Sequence, residues 1–193
     1  MNFSATYLGF KLVDPLRRFF AAYGGKDFSW NDDPKLSGIE IDTINNFHKV
    51  NIQAKPRVLI SRGGFSIKGS GLTDSMSESR SYWETKGLRS EEYLVFIDGQ
   101  IQILVEARQE GTCEVVADSV VHFLNWSSSF MCDYYGFKHF GNQISVSPCT
   151  PFKEDIEGFQ CSIGIPWTRE ESWKISTDGI KIKDILLSLD KSD

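Results

Sequence analysis

The sequence predicts an α+β protein: a mixed, mostly antiparallel sheet with helices packed on one face, plus a long Gly/Ser-rich loop. Three observations lead there. Two segments carry apolar residues at helical spacing, several others alternate apolar and polar residues strictly, and the strand-type segments come in runs rather than in βα alternation. Composition agrees. A chain of 193 residues that is 40% hydrophobic can bury one sizeable core, and 13% aromatic content leans towards sheet.

The first element is a short amphipathic helix. Asp14 is a good N-cap and Pro15 suits a first helical position; Leu16, Phe19, Phe20 and Tyr23 follow at helical spacing until Gly24 and Gly25 stop them. Residues 24–38 read as loop. Residues 39–50 fit two readings. Ile41, Ile44 and Phe47 share a helical face, which favours helix, while Ile39 to Ile41 also suits a strand. After Pro56, the run Arg57, Val58, Leu59, Ile60, Ser61 reads as a buried strand.

Residues 62–91 mix Gly63, Gly64, Gly69, Gly71 and Gly87 with many serines and show no periodicity, so they read as a long functional loop. Arg62, Lys68, Arg80, Trp83 and Arg89 give this loop adhesive side chains, because Trp and Arg dominate interface hot spots. These five are the candidate subunit-interface residues. Next, apolar runs at 93–97 and 101–107 flank Asp98 and Gly99, the pattern of a two-residue hairpin turn.

A long helix follows, with Thr112 as its N-cap, an apolar stripe of Val116, Val120, Phe123 and Leu124, and an end near Ser127 to Ser129. The last third returns to strands. Ile144 and Val146 alternate, and Phe159, Cys161, Ile163, Ile165 and Trp167 alternate cleanly with their neighbours. Thr168 to Ser172 reads as a loop between Trp167 and Trp173, after which Ile175, Ile180, Ile182, Ile185, Leu187 and Leu189 suggest further strand. The domain division expected is 1–56 as an N-terminal helical extension and 57–193 as the α+β core.

A net charge of −5 disfavours a protein that coats nucleic acid. The charge is uneven. Residues 1–68 hold 10 Lys/Arg and 6 Asp/Glu, a balance of +4; the remainder holds 11 and 20, a balance of −9. Opposite-sign patches on one chain let copies attract one another. No secretory signal or membrane-length apolar run is visible, which predicts a reducing origin and free thiols at Cys113, Cys132, Cys149 and Cys161.

Residue spacing argues against the common chemical motifs. The four cysteines are separated by 19, 17 and 12 residues with no Cys-x-x-Cys pair, so no metal is assigned. The stretch from Arg62 to Gly71 places Lys68 before Gly69 and lacks the Gly-Lys-Ser/Thr of a phosphate loop. No Gly-x-Ser-x-Gly elbow exists, and the adjacent carboxylates Glu91-Glu92, Glu154-Asp155 and Glu170-Glu171 read as solvating charge. No catalytic residue and no cofactor is assigned.

The order of elements over 57–189 carries a resemblance. The strand Arg57 to Ser61, the long Gly/Ser loop, the hairpin from Tyr93 to Arg108, the helix from Thr112 to about Ser129, the turn and strand of Phe140 to Ser147 and the closing Trp173, Ile175 strand set together resemble the neck and tail-terminator proteins of tailed bacteriophages, which are tail-completion and head-to-tail connector subunits. The resemblance implies a non-enzymatic structural virion protein that forms a ring, usually of six copies. Such a ring caps the tail and joins it to the head connector, after assembly in the host cytoplasm. It implies tail tube, sheath and connector proteins as partners, with DNA passing through the channel and no sequence-specific binding. The segment before residue 56 departs from the pattern. The alternatives are another phage connector or baseplate protein, or a small cytosolic ligand-binding protein or enzyme using the Gly-rich loop.

Overall fold

The computed structural model describes residues 5–44, 55–68, 80–83, 89–151 and 158–176. Their element order is helix α1 (Ala5–Tyr23), strands β1 (Glu40–Thr43), β2 (Arg57–Lys68), β3 (Arg80–Trp83) and β4 (Arg89–Ala107), helix α2 (Glu110–Tyr135), then β5 (Phe137–Phe140), β6 (Ser145–Val146), β7 (Thr150–Pro151) and β8 (Phe159–Ser176). Among the described residues the strands form one eight-stranded sheet, ordered β1-β2-β4-β8-β5, with β3 beside β4 and β6 and β7 beside β8. β1 runs parallel to β2, while β3, β6 and β7 run antiparallel to their neighbours. The sheet is mixed, and the fold is α+β as expected.

The chain divides into two compact units. The first comprises Met1–Phe65 and Asp98–Thr168; the second comprises Ser66–Ile97 and Arg169–Asp193. The 56/57 boundary expected from sequence falls inside the first unit, where α1 packs on β1 and touches α2. The second unit holds β3 against the start of β4, with Arg80 opposite Glu92 and Trp83 opposite Arg89.

Helix α1 buries Leu12, Leu16 and Phe20 almost completely; of the apolar face read from the sequence Leu16 and Phe20 are buried, Phe19 is half-buried and Tyr23 is exposed. It starts well before Asp14, so Pro15 lies inside the helix rather than at its first position. Pro15 has no N–H for the Lys11 carbonyl, and the helix continues through this one missing bond. Gly24 closes it by donating to the Phe20 carbonyl at 2.9 Å, and Gly25 follows at φ 65°. Arg17 clamps α1 to the sheet edge: its Nε and Nη2 donate to the Ile41 carbonyl at 3.0 and 2.8 Å, and Nη2 stands 3.7 Å from Asp42. An edge carbonyl is thereby covered instead of left open for strand addition.

Three segments differ from the sequence expectation. Residues 40–43 are strand, not helix, because Ile41 and Thr43 alternate inward with Glu40 and Asp42 and pair with β2; residues 45–54 lie outside the described residues. The 62–91 segment is not a continuous loop: 62–68, 80–83 and 89–91 are strand, and 69–79 and 84–88 lie outside the described residues. Gly63 sits in β2 because a Cβ there would collide with the Gln100 carbonyl. The 168–172 loop is also strand, part of β8; the strand pattern expected beyond 176 lies outside the described residues.

The largest correction concerns Asp98 and Gly99. β4 runs straight through both, and neither has a positive φ. A type I′ turn needs positive φ at both positions, so the hairpin is absent. Gly99 serves a different purpose. Ile97, Ile101, Ile103, Val105 and Ala107 all face the core, and Gly99 falls on the same side by strand parity. A Cβ there would overlap Cζ2 and Cε2 of Trp167, so the glycine leaves room for the indole. Thr168 Oγ1 donates to Asp98 Oδ1 at 2.7 Å on the same pair of strands.

The β8 alternation stands as read: Cys161, Ile163, Ile165 and Trp167 are all buried. Helix α2 has the expected inner face, with Cys113, Val116, Val120, Phe123 and Leu124 buried. It begins two residues before Thr112, with Gln109 as N-cap, and ends at Gly136 (φ 71°) rather than near the serines. Ser127 and Ser128 do not break it because their hydroxyls bond carbonyls, that of Leu124 at 3.4 Å and that of Phe140 at 2.7 Å.

Candidate interaction surface

The six residues that α2 gains past Ser129 change what the molecule presents. Trp126, Phe130 and Tyr134 recur every four residues and form one row, which starts off the buried stripe of Val116, Val120 and Leu124 at Trp126 and drifts by about 40° per step towards its phase in the last turn. Trp126 is 67% exposed, Phe130 47% and Tyr134 71%. Tyr23 at the end of α1 adds another aromatic at 69%. Scattered exposed apolar residues are ordinary; a contiguous aromatic row is a recognition feature.

The row is ordered by its own contacts. Phe19 joins the two helices, with its ring 5.3 Å from Phe123 and 5.4 Å from Tyr23. Tyr23 meets Trp126 edge-on at 6.3 Å. Phe130 stacks on Tyr134 at 5.2 Å with planes 10° apart, and Tyr135 abuts both rings. Lys11 lies over the Tyr135 ring at 5.2 Å. Between the helices, Pro15, Arg18, Phe19, Tyr23, Phe123, Trp126, Ser127 and Phe130 line a cleft of about 370 Å³ with almost wholly apolar walls. Its continuation passes Asp118, Ser119 and His122. Rings already held by neighbours lose little freedom when covered, which favours association.

Electrostatics differ across the cleft. Helix α2 carries Glu110, Glu114, Asp118 and Asp133 and no Lys or Arg. Helix α1 carries Lys11, Arg17 and Arg18 against Asp14. Arg17 is held by Asp42, whereas Arg18 and Asp118 form no ion pair among the described residues.

The sequence-predicted interface residues are on strands β2, β3 and β4 and not on α1 or α2. Arg62 is exposed on β2, its guanidinium 4.7 Å from the Phe65 ring centre. Lys68 ends β2, Arg80 and Trp83 bound β3, and Arg89 starts β4 opposite Trp83. Strand pairing brings Trp83 and Arg89 together at backbone level; Arg62 belongs to the first unit and the other four to the second.

Two polar clusters lie in the first unit. Arg57 is 1% exposed and its Nε donates to Glu40 at 3.0 Å. Its charge also acts on Glu106, whose carboxyl is pushed up by burial and partly drawn back by Arg57. The cluster ties β1, β2 and β4 together. The thiols of Cys113 and Cys161 donate to the carbonyls of Val105 and Ser147 at 3.4 and 3.1 Å. Burial, with Cys149 alongside, pushes both thiols up, so they stay neutral and poorly nucleophilic. All four cysteines are free, as expected.

The sequence reading missed the aromatic row because it ended α2 at three consecutive serines. The available signal was the four-residue repeat of Trp126, Phe130 and Tyr134. No helix is long and apolar enough to cross a membrane among the described residues. Comparison with protein-family models and with curated proteins finds no match for this chain.

Proposed function

We propose that the protein is a structural assembly subunit of a tailed phage, of the neck or tail-terminator type, working as one member of a ring that caps the tail and meets the head connector. The exposed aromatic row on α1 and α2, an apolar surface of the size used for protein association, supports an assembly subunit, and the opposite charge balances of residues 1–68 and 69–193 support the head-to-tail contacts of a ring. The element order agrees in part: the strand from Arg57, helix α2 and strand β8 stand where the resemblance has a strand, a helix and a strand, whereas its 93–108 hairpin is one continuous strand. Arg62 to Lys68, the first part of the Gly-rich stretch behind the ligand-binding alternative, are strand, with Gly63 packed under the Gln100 carbonyl.

Electron microscopy of the purified full chain, together with immunogold labelling of virions, tests the reading. Closed rings and label at the head-proximal end of the tail are expected. A protein absent from virions and forming no closed assembly contradicts it.

A further inference from the structure

Three features of the first unit merit a separate role: the buried Arg57 cluster, the neutral thiols and the aromatic cleft. The Arg57 cluster is accounted for by joining three strands, and the thiols are kept unreactive by burial. The cleft is left with a face that nothing in the chain's described residues covers.

From this geometry we propose that the α1/α2 face docks a second copy of this chain by two-fold, isologous contact, each copy laying its α1 over the other's α2. This goes beyond the ring reading and does not rest on it, because a cyclic ring uses head-to-tail contacts between two different patches.

Two arguments select a second copy as the occupant. The first is area. At about 200 Å² per aromatic side chain, the exposed fractions of Tyr23, Trp126, Phe130 and Tyr134 offer roughly 500 Å² of apolar surface. A standard interface covers about 800 Å² per partner, of which roughly 450–520 Å² is apolar, so the row supplies the apolar part of one such half.

The second is charge. The two helices bordering the cleft have opposite sign: α1 has a surplus of two positive charges and α2 a surplus of four negative ones. A two-fold axis through the cleft places each α1 on the partner's α2, so the contact is attractive twice over. Arg18, which lines the cleft, then faces the acidic side of the other copy's α2, where Asp118 forms no ion pair among the described residues. A neutral or uniformly acidic face would not be self-complementary in this way.

Sedimentation equilibrium on the full chain tests the proposal. The wild type is expected to be dimeric, or dimer-based if rings also form. Trp126→Lys raises the dissociation constant at least about 30-fold, the scale of a central aromatic hot spot. Arg18→Glu and Asp118→Arg each weaken association about 5- to 10-fold, and the double variant regains most of it, an outcome that general loss of folding cannot produce. All three sites are at the surface, and circular dichroism checks that each variant is folded. A wild type that stays monomeric at 100 µM overturns the proposal, as does association unchanged by Trp126→Lys. Dimers without rings leave this inference standing and remove the ring reading; rings indifferent to Trp126→Lys do the reverse.

Discussion

The two faces of α2 are built from similar side chains and have opposite consequences. On the inner face Val116, Val120, Phe123, Leu124 and Met131 are buried against the rest of the first unit. On the outer face Trp126, Phe130 and Tyr134 keep about half or more of their surface in water. Large apolar residues therefore do not by themselves mark a core. Phase separates Trp126, which is turned well away from positions 116, 120 and 124, whereas Tyr134, about five full turns past Val116, shares its phase and is exposed in the last turn of the helix. The inner row carries folding energy, and the outer row stores apolar surface for a partner.

Substitutions on either side of that divide should separate cleanly. The largest loss is expected at Leu124→Ala, which opens a cavity in the core and costs about 3 kcal/mol; in a chain of this size that lowers the melting temperature by roughly 6–12 °C in a thermal scan. Gly99→Ala follows, at about 2–3 kcal/mol, since its new methyl has to displace the Trp167 ring. Had Gly99 formed a turn with positive φ, the same substitution would strain the backbone and leave Trp167 fluorescence unmoved; here the indole shifts and its emission changes. Glu40→Gln costs about 1–2 kcal/mol, because Arg57 stays buried with a weaker partner while Glu106 keeps part of the charge balanced. The smallest effect on stability is expected at Trp126→Ala, within about 0.5 kcal/mol, as an exposed outer-row residue.

A pH series sharpens the contrast within the sheet. The Glu106 carboxyl is raised in the folded protein, so folding favours its protonated form. The folded state then binds more protons than the unfolded one between the two pKa values, and this group's contribution falls as pH rises from the ordinary carboxylate range through the higher folded value. Glu106→Gln should flatten that part of the stability profile relative to wild type in urea melts at pH 4 to 8. A difference profile that rises with pH instead would mean that Arg57 outweighs burial at this site.

How much was legible in the sequence follows from which signals are local. Alternation in β8 and the inner stripe of α2 depend only on spacing, and both appear where the pattern places them. The mixed sheet with packed helices followed from the order of such patterns. Asp98-Gly99 misled because one dipeptide satisfies two physical demands: a glycine makes room for positive φ in a turn, and equally for an indole from a strand 68 residues away. Only the unbroken parity from Ile97 to Ala107 across Gly99 distinguishes them. Pro15 misled similarly, since a helix tolerates one missing N–H when Leu12, Leu16 and Phe20 anchor it on both sides. The interaction surface was hidden by Ser127, Ser128 and Ser129. Their hydroxyls read as helix-breaking until Ser128 is seen to bond the Phe140 carbonyl, a partner that no local pattern reveals.

The central claim is that the outer row of α2 serves association and not folding. The most direct measurement sets thermal unfolding of wild type and Trp126→Lys, in dilute solution where both are dissociated, beside sedimentation equilibrium of the same two proteins at high concentration. The account predicts melting temperatures within about 2 °C of each other and an assembly present in the wild type and lost in the variant. A variant that melts many degrees lower while still associating like wild type would contradict it, and would place Trp126 in the fold instead of on its surface.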